Sequence, residues 1–132
     1  MQADELCRIA VSALEDIKAR DIVVLDVRNM TSLFDYIIVA SADSTRQTRS
    51  LARHVLDKAK ESDVIPIGTE GEGSGEWVLV DLGDIVVHVM QPAVRDYYNL
   101  EELWGGKRPS LLRPPSASTL ASTLATPLEA GV

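Results

Sequence analysis

Trp77-Val-Leu-Val-Asp-Leu-Gly-Asp-Ile-Val-Val-His-Val-Met90 is the stretch on which the fold turns. Two apolar, β-branched runs, 76–80 and 85–90, flank Asp81-Leu82-Gly83-Asp84. Val and Ile suit a pleated strand, and Asp and Gly suit a tight turn in which Gly83 takes positive φ. The stretch reads as a β-hairpin. Side chains alternate across a strand. Trp77 and Leu79 share one face, Val78 and Val80 the other. In the second arm Ile85, Val87 and Val89 oppose Val86, His88 and Met90. Both faces are mostly apolar and both call for cover.

Working outward, 22–27 and 36–42 are continuous apolar runs, as expected of strands buried on both faces. Residues 64–69 read as a short strand whose Pro66 suits a sheet edge. Leu6, Ile9, Ala10, Ala13, Leu14 and Ile17 form one stripe of an amphipathic helix over 4–20. Asp4 and Glu5 suit its positive end, Lys18 and Arg20 its negative end. Ser44 reads as the N-cap of a second helix with the stripe Leu51, Ala52, Val55, Leu56 and Ala59. Pro92 ends the last strand, and 94–104 reads as one or two short helical turns. The order α-β-β-α-β-β-β-α predicts an α/β fold, a mixed sheet of about five strands with helices mainly on one face. Two long helices cover one face of such a sheet and hardly both. The face carrying Trp77 is then either a partner site, or roofed by Tyr97, Tyr98, Leu100, Leu103 and Trp104 of the C-terminal turns. The sequence leaves both open.

Composition narrows the function classes. The chain has 132 residues, 45% hydrophobic and 25% charged, as in an ordinary soluble domain. Its net charge of −7 argues against general nucleic-acid binding, which needs clustered cations. A single cysteine, Cys7, excludes an intrachain disulfide and a thiolate zinc cage. The first residues show neither a basic nor an apolar signal region, and no run reaches membrane-spanning length, so a cytoplasmic location is expected. Residues 1–108 read as one folded domain. Residues 109–132, rich in Pro, Ser, Thr and Ala, read as a disordered low-complexity tail. The alternative for the tail is a short helix that docks Leu120 and Leu124.

Gly71-Glu-Gly-Ser-Gly lacks the Lys-Ser/Thr of a phosphate loop and opens no helix, so it reads as a flexible connector. A metal-dependent transferase would need Asp26, Asp81 and Asp84 to converge on one ion; Asp81 and Asp84 also suit a turn. His54 and His88 are too far apart in sequence for a local ligand pair, and His88 reads as a hydrogen-bonded core or interface histidine. No catalytic nucleophile and no metal or cofactor site stands out. Arg46, Arg49 and Arg53 recur at i, i+3 and i+7, with Lys60 further along the same side. They form either a solvated face or a contact with rRNA phosphate or an acidic partner.

The hairpin sequence, followed by Arg95, Tyr98, Leu100-Glu101 and Leu103-Trp104, resembles the signature of the ribosomal silencing factor, or Iojap-related, family. Phe34-Asp-Tyr-Ile-Ile-Val-Ala-Ser and Ser44-Thr-Arg-Gln are similar to that family as well. The resemblance implies a nucleotidyltransferase-like fold without transferase activity and without a cofactor. It implies binding to ribosomal protein L-fourteen on the large subunit, a block to small-subunit joining, repressed translation under nutrient limitation, and homodimers. On that reading Trp77, Leu79 and Leu82 anchor an apolar interface, Asp81 and Asp84 pair with basic groups, and His88, Met90 and Tyr98 extend the patch. A nucleotidyltransferase and a ribosome-assembly or self-association module remain the alternatives.

Overall fold

Strands β1 (Arg20–Asp26), β2 (Tyr36–Ser41), β3 (Gly68–Glu70), β4 (Trp77–Asp81) and β5 (Ile85–Met90) form one sheet in the order β1-β2-β5-β4-β3. This is the arrangement in the computed structural model, which describes residues 1–104. The pair β2–β5 is parallel and the other pairs are antiparallel. The central strands are β2, the 36–42 run, and β5; the 22–27 run, expected to be buried on both faces, instead lies in β1 at the sheet edge, where Val24 is 42% exposed and Ile22 and Val23 are half-buried. Every residue of β5 is buried, and all of β2 after Tyr36. The hairpin closes as Leu82 N–H donates to the Ile85 carbonyl, with Gly83 at φ 92°. The Asp81 carboxylate accepts from Gly83 N–H at 2.9 Å.

Helices α1 (Ala3–Asp16) and α2 (Thr45–Glu61) cover one face. Leu6, Ala10, Leu14, Leu51 and Val55 meet Ile38, Val78, Val87 and Val89 there. Ala10, Ala13, Ala52 and Ala59 are buried, and their small side chains let the helices lie close to each other and to the sheet. Ser44 caps α2, its hydroxyl accepting from Gln47 N–H at 3.1 Å.

Three further local expectations are corrected. Helix α1 stops at Asp16. Lys18 turns the chain at φ 62°, and Arg20 opens β1 and pairs with Asp43, so neither serves the helix end. The 64–69 strand shrinks to Gly68–Glu70, because Pro66 has no N–H and laddering begins only beyond it. The 71–75 segment is a fitted loop, not a loose connector. Gly71 sits at φ 89°, and a Cβ there would lie 1.9 Å from the Trp77 carbonyl oxygen. A Cβ on Gly75 would lie 2.3 Å from Thr45 Cγ2. Arg49 donates to the Glu72 and Gly73 carbonyls at 2.7 and 2.6 Å. The loop thus ties α2 to the start of β4.

The opposite face is covered unequally. Helices α3 (Pro92–Tyr98) and α4 (Leu100–Leu103), with Val27 and Phe34, close over Leu25, Ile37, Val39, Val86 and Met90. Trp77 and Leu79 stay half exposed at the margin of this cover. The two sequence alternatives are therefore each realised over part of the face. The 109–132 tail lies outside the described residues.

Candidate docking face

The cover is positioned by a left-handed residue. Asn99 stands between α3 and α4 at φ 49°, ψ 59°, a conformation Asn tolerates better than most residues. The reversal brings Glu101 back to Arg95. The guanidinium donates to both carboxylate oxygens, at 3.3 and 3.1 Å, and to the Ser41 hydroxyl at 2.8 Å. Both charged side chains have no solvent exposure. This bidentate pair clamps α3 and α4 to each other and to the end of β2.

From that clamp an aromatic ladder runs outward. Buried His88 accepts at Nδ1 from Trp77 Nε1–H at 3.0 Å. The Trp77 and Tyr98 rings are 4.9 Å apart between centroids, and Tyr98 and Tyr97 are 5.0 Å apart, edge to face. Tyr97 is 56% exposed. Phe34 meets Trp104 edge-on at 5.6 Å. Trp77, Leu79, Tyr98, Leu103 and Trp104 each keep part of their surface in water. Aromatic groups, partly wet but fixed from below, are what a protein interface uses as anchors.

Strand alternation sorts the sequence-derived site residues. Trp77, Leu79 and Tyr98 come together on this face. Asp81 is half exposed on the same side as Leu79, and Asp84 is exposed at the hairpin tip. Leu82, His88 and Met90 require correction as direct contacts. Leu82 is 5% exposed and points into the α1–α2 face, because its place in the hairpin is out of phase with Trp77 and Leu79. His88 and Met90 face the correct side but are fully covered by α3, α4 and Trp77, so they support the face from beneath. Burial pushes the His88 imidazole down to about 4. The Trp77 indole can only donate, so Nδ1 is the acceptor and the proton resides on Nε2.

Asp26, Asp81 and Asp84 do not converge. Asp26 is bound bidentately by Arg28, whose hydrogen bonds hold its carboxyl below the usual carboxylate range, and it lies two strands from the Ile85 end of the hairpin. Among the described residues no group of three or more His, Cys, Asp or Glu is placed to hold a metal ion. His54 pairs with Asp16, far from His88. Cys7 is buried against the helical core, and burial raises its thiol. Arg46, Arg49 and Arg53 lie on the solvent side of α2, away from the aromatic ladder. The sequence reading assigned no role to Asn99, Glu101 or Arg95. Arg95 and Glu101 stood in the sequence only as members of the family signature, with nothing to pair them.

The pattern of a family described as "Ribosomal silencing factor during starvation" matches residues 1–127. The "Ribosomal silencing factor RsfS" of Chromobacterium violaceum is 57% identical over 110 residues, covering 83% of this chain and 90% of that one. A crystal structure of a protein from Chromobacterium violaceum superposes with a TM-score of 0.82 at 56% identity, covering 85% of this chain and 93% of that one. A more distant relative, the mouse "Mitochondrial assembly of ribosomal large subunit protein 1", is 33% identical over 99 residues, 71% of this chain and 42% of that one.

Proposed function

The chain belongs to the ribosomal silencing factor family, and from that premise we propose that it binds ribosomal protein L-fourteen on the large subunit. Seated there, it sterically blocks joining of the small subunit and represses translation when nutrients are limiting. The observation that carries this reading is the half-covered face with its ladder Trp77–Tyr98–Tyr97. Leu79 completes the apolar centre, and Asp81 and Asp84 supply negative charge beside it. The mouse relative is named for assembly of the large subunit, which supports that subunit as the partner. The net charge of −7 favours encounter with a basic ribosomal protein by electrostatic steering.

On this reading the protein acts by occupancy, not catalysis, and works in the cytoplasm. No helix among the described residues is long and apolar enough to cross a membrane. Free protein pairs as a homodimer through its exposed apolar surface. Sedimentation across concentration, with and without large subunits, tests that pairing; a concentration-independent monomer refutes it.

The direct test is a joining assay with purified subunits. The wild-type chain is expected to lower the yield of joined ribosomes. Trp77→Ala should weaken large-subunit binding by about tenfold or more, as truncation of a central aromatic anchor does. Because Trp77 also satisfies His88, the variant is first shown folded, and Leu79→Ala and Tyr97→Ala serve as milder companions. Folded variants that all bind with unchanged affinity remove the face from the mechanism.

A further inference from the structure

Helix α2 holds five of the chain's 13 cations and only two of its 20 carboxylates. Against a net charge of −7, that is marked segregation. Arg46, Arg53 and Lys60 are exposed and recur every seven residues, so they stand in a nearly straight row, about 10.5 Å apart. Among the described residues none of the three forms an ion pair, although carboxylates are abundant. Asp57 stands on the flank of the row and pairs with neither Arg53 nor Lys60.

The two flanks of α2 give the row its direction. On one flank Gln47 donates to the Ile17 and Lys18 carbonyls and His54 meets Asp16, so that side belongs to α1. On the other flank Arg49 holds the 71–75 loop, and the loop leads directly into Trp77. The cationic row therefore lies on the side of α2 turned away from the sheet, and the 71–75 loop links α2 to Trp77 through Arg49 and Thr45.

We propose that Arg46, Arg53 and Lys60 form a second contact surface that takes RNA phosphates while the Trp77 face engages protein. This rests on the large-subunit reading above and adds to it a nucleic-acid contact on a separate wall of the molecule. A row of unpaired cations at regular intervals suits a polymer of regularly spaced anions, and guanidinium and ammonium groups position a phosphate backbone without reading bases. Three cations cannot make an acidic chain a general RNA binder. They act once the Trp77 face has placed the helix beside RNA, which makes the contact a secondary one dependent on docking.

The test is the triple variant Arg46→Gln, Arg53→Gln, Lys60→Gln, which keeps good helix formers at exposed positions. Its affinity for large ribosomal subunits and for isolated ribosomal protein L-fourteen is measured over a salt series. The triple variant is expected to bind the subunit about tenfold more weakly at low salt. Its slope of log affinity against log salt should be flatter by about one per lost phosphate contact. Binding to the isolated ribosomal protein should be unchanged. Unaltered subunit affinity and slope overturn the proposal. An equal loss with the isolated protein also overturns it, assigning the row to a protein contact. Failure of the premise has a different sign: wild-type chain that does not bind large subunits, or a folded Trp77→Ala variant that binds them normally.

Discussion

Glu101→Ala is expected to destabilise the fold by about 3–5 kcal/mol, the cost of leaving a buried charge without its partner. The Arg95 guanidinium has no solvent exposure and directs two of its donors at that carboxylate. With the carboxylate gone, Ser41 alone cannot compensate a cation out of water. Single domains are stable by only about 5–15 kcal/mol, so the loss is a large share of the total. Urea denaturation of the two proteins measures it. The double variant Arg95→Met, Glu101→Leu removes both charges at similar volume and should recover most of the stability. Near-wild-type stability of Glu101→Ala would show that the pair is not the clamp described. The effect on function should follow, because the clamp holds Tyr98 against Trp77 and Trp104 against Phe34. A variant that stays folded but lets α3 and α4 shift should bind the large subunit more weakly.

The contrast between this clamp and the hairpin shows what the sequence could reveal. Period-two alternation is local, so the split of Trp77 and Leu79 from Val78 and Val80 was legible, as was the turn at Gly83. The same parity rule places Leu82 with the helical core, against the anchoring role given to it on the family reading. Burial of His88 and Met90 depends on where α3 comes to rest, which no local pattern states. Arg95 and Glu101 are six residues apart, a spacing that does not align side chains on a helix. They meet because Asn99 adopts a left-handed conformation, and one backbone angle is not written in composition or periodicity. The 71–75 glycines suggested freedom by their type. Their real constraint, close approach to Thr45 and to the Trp77 carbonyl, is tertiary.

Acid should weaken the protein through His88 in a window set by burial. The folded state keeps the imidazole neutral down to about pH 4, whereas its ordinary value is 6.5. Between those values unfolding takes up a proton, so stability rises with pH. The contribution is complete above the unfolded value and is lost as pH falls through 6.5 towards 4. Its full size is about 3 kcal/mol, from the difference between the two values. Geometry reinforces burial: a protonated Nδ1 would set an N–H against the Trp77 N–H. The protein must then either unfold locally or release the indole. Carboxylates titrate in the same range, so the measurement is a difference. Urea unfolding of wild type and His88→Gln is compared at pH 7 and pH 4.5. Gln can accept from the indole and carries no proton equilibrium here, so its stability should fall less steeply. Equal slopes in the two proteins would falsify the assignment to His88. Because the same imidazole holds Trp77 in place, the acid-weakened wild type should also lose affinity for the large subunit, and the Gln variant should retain more of it.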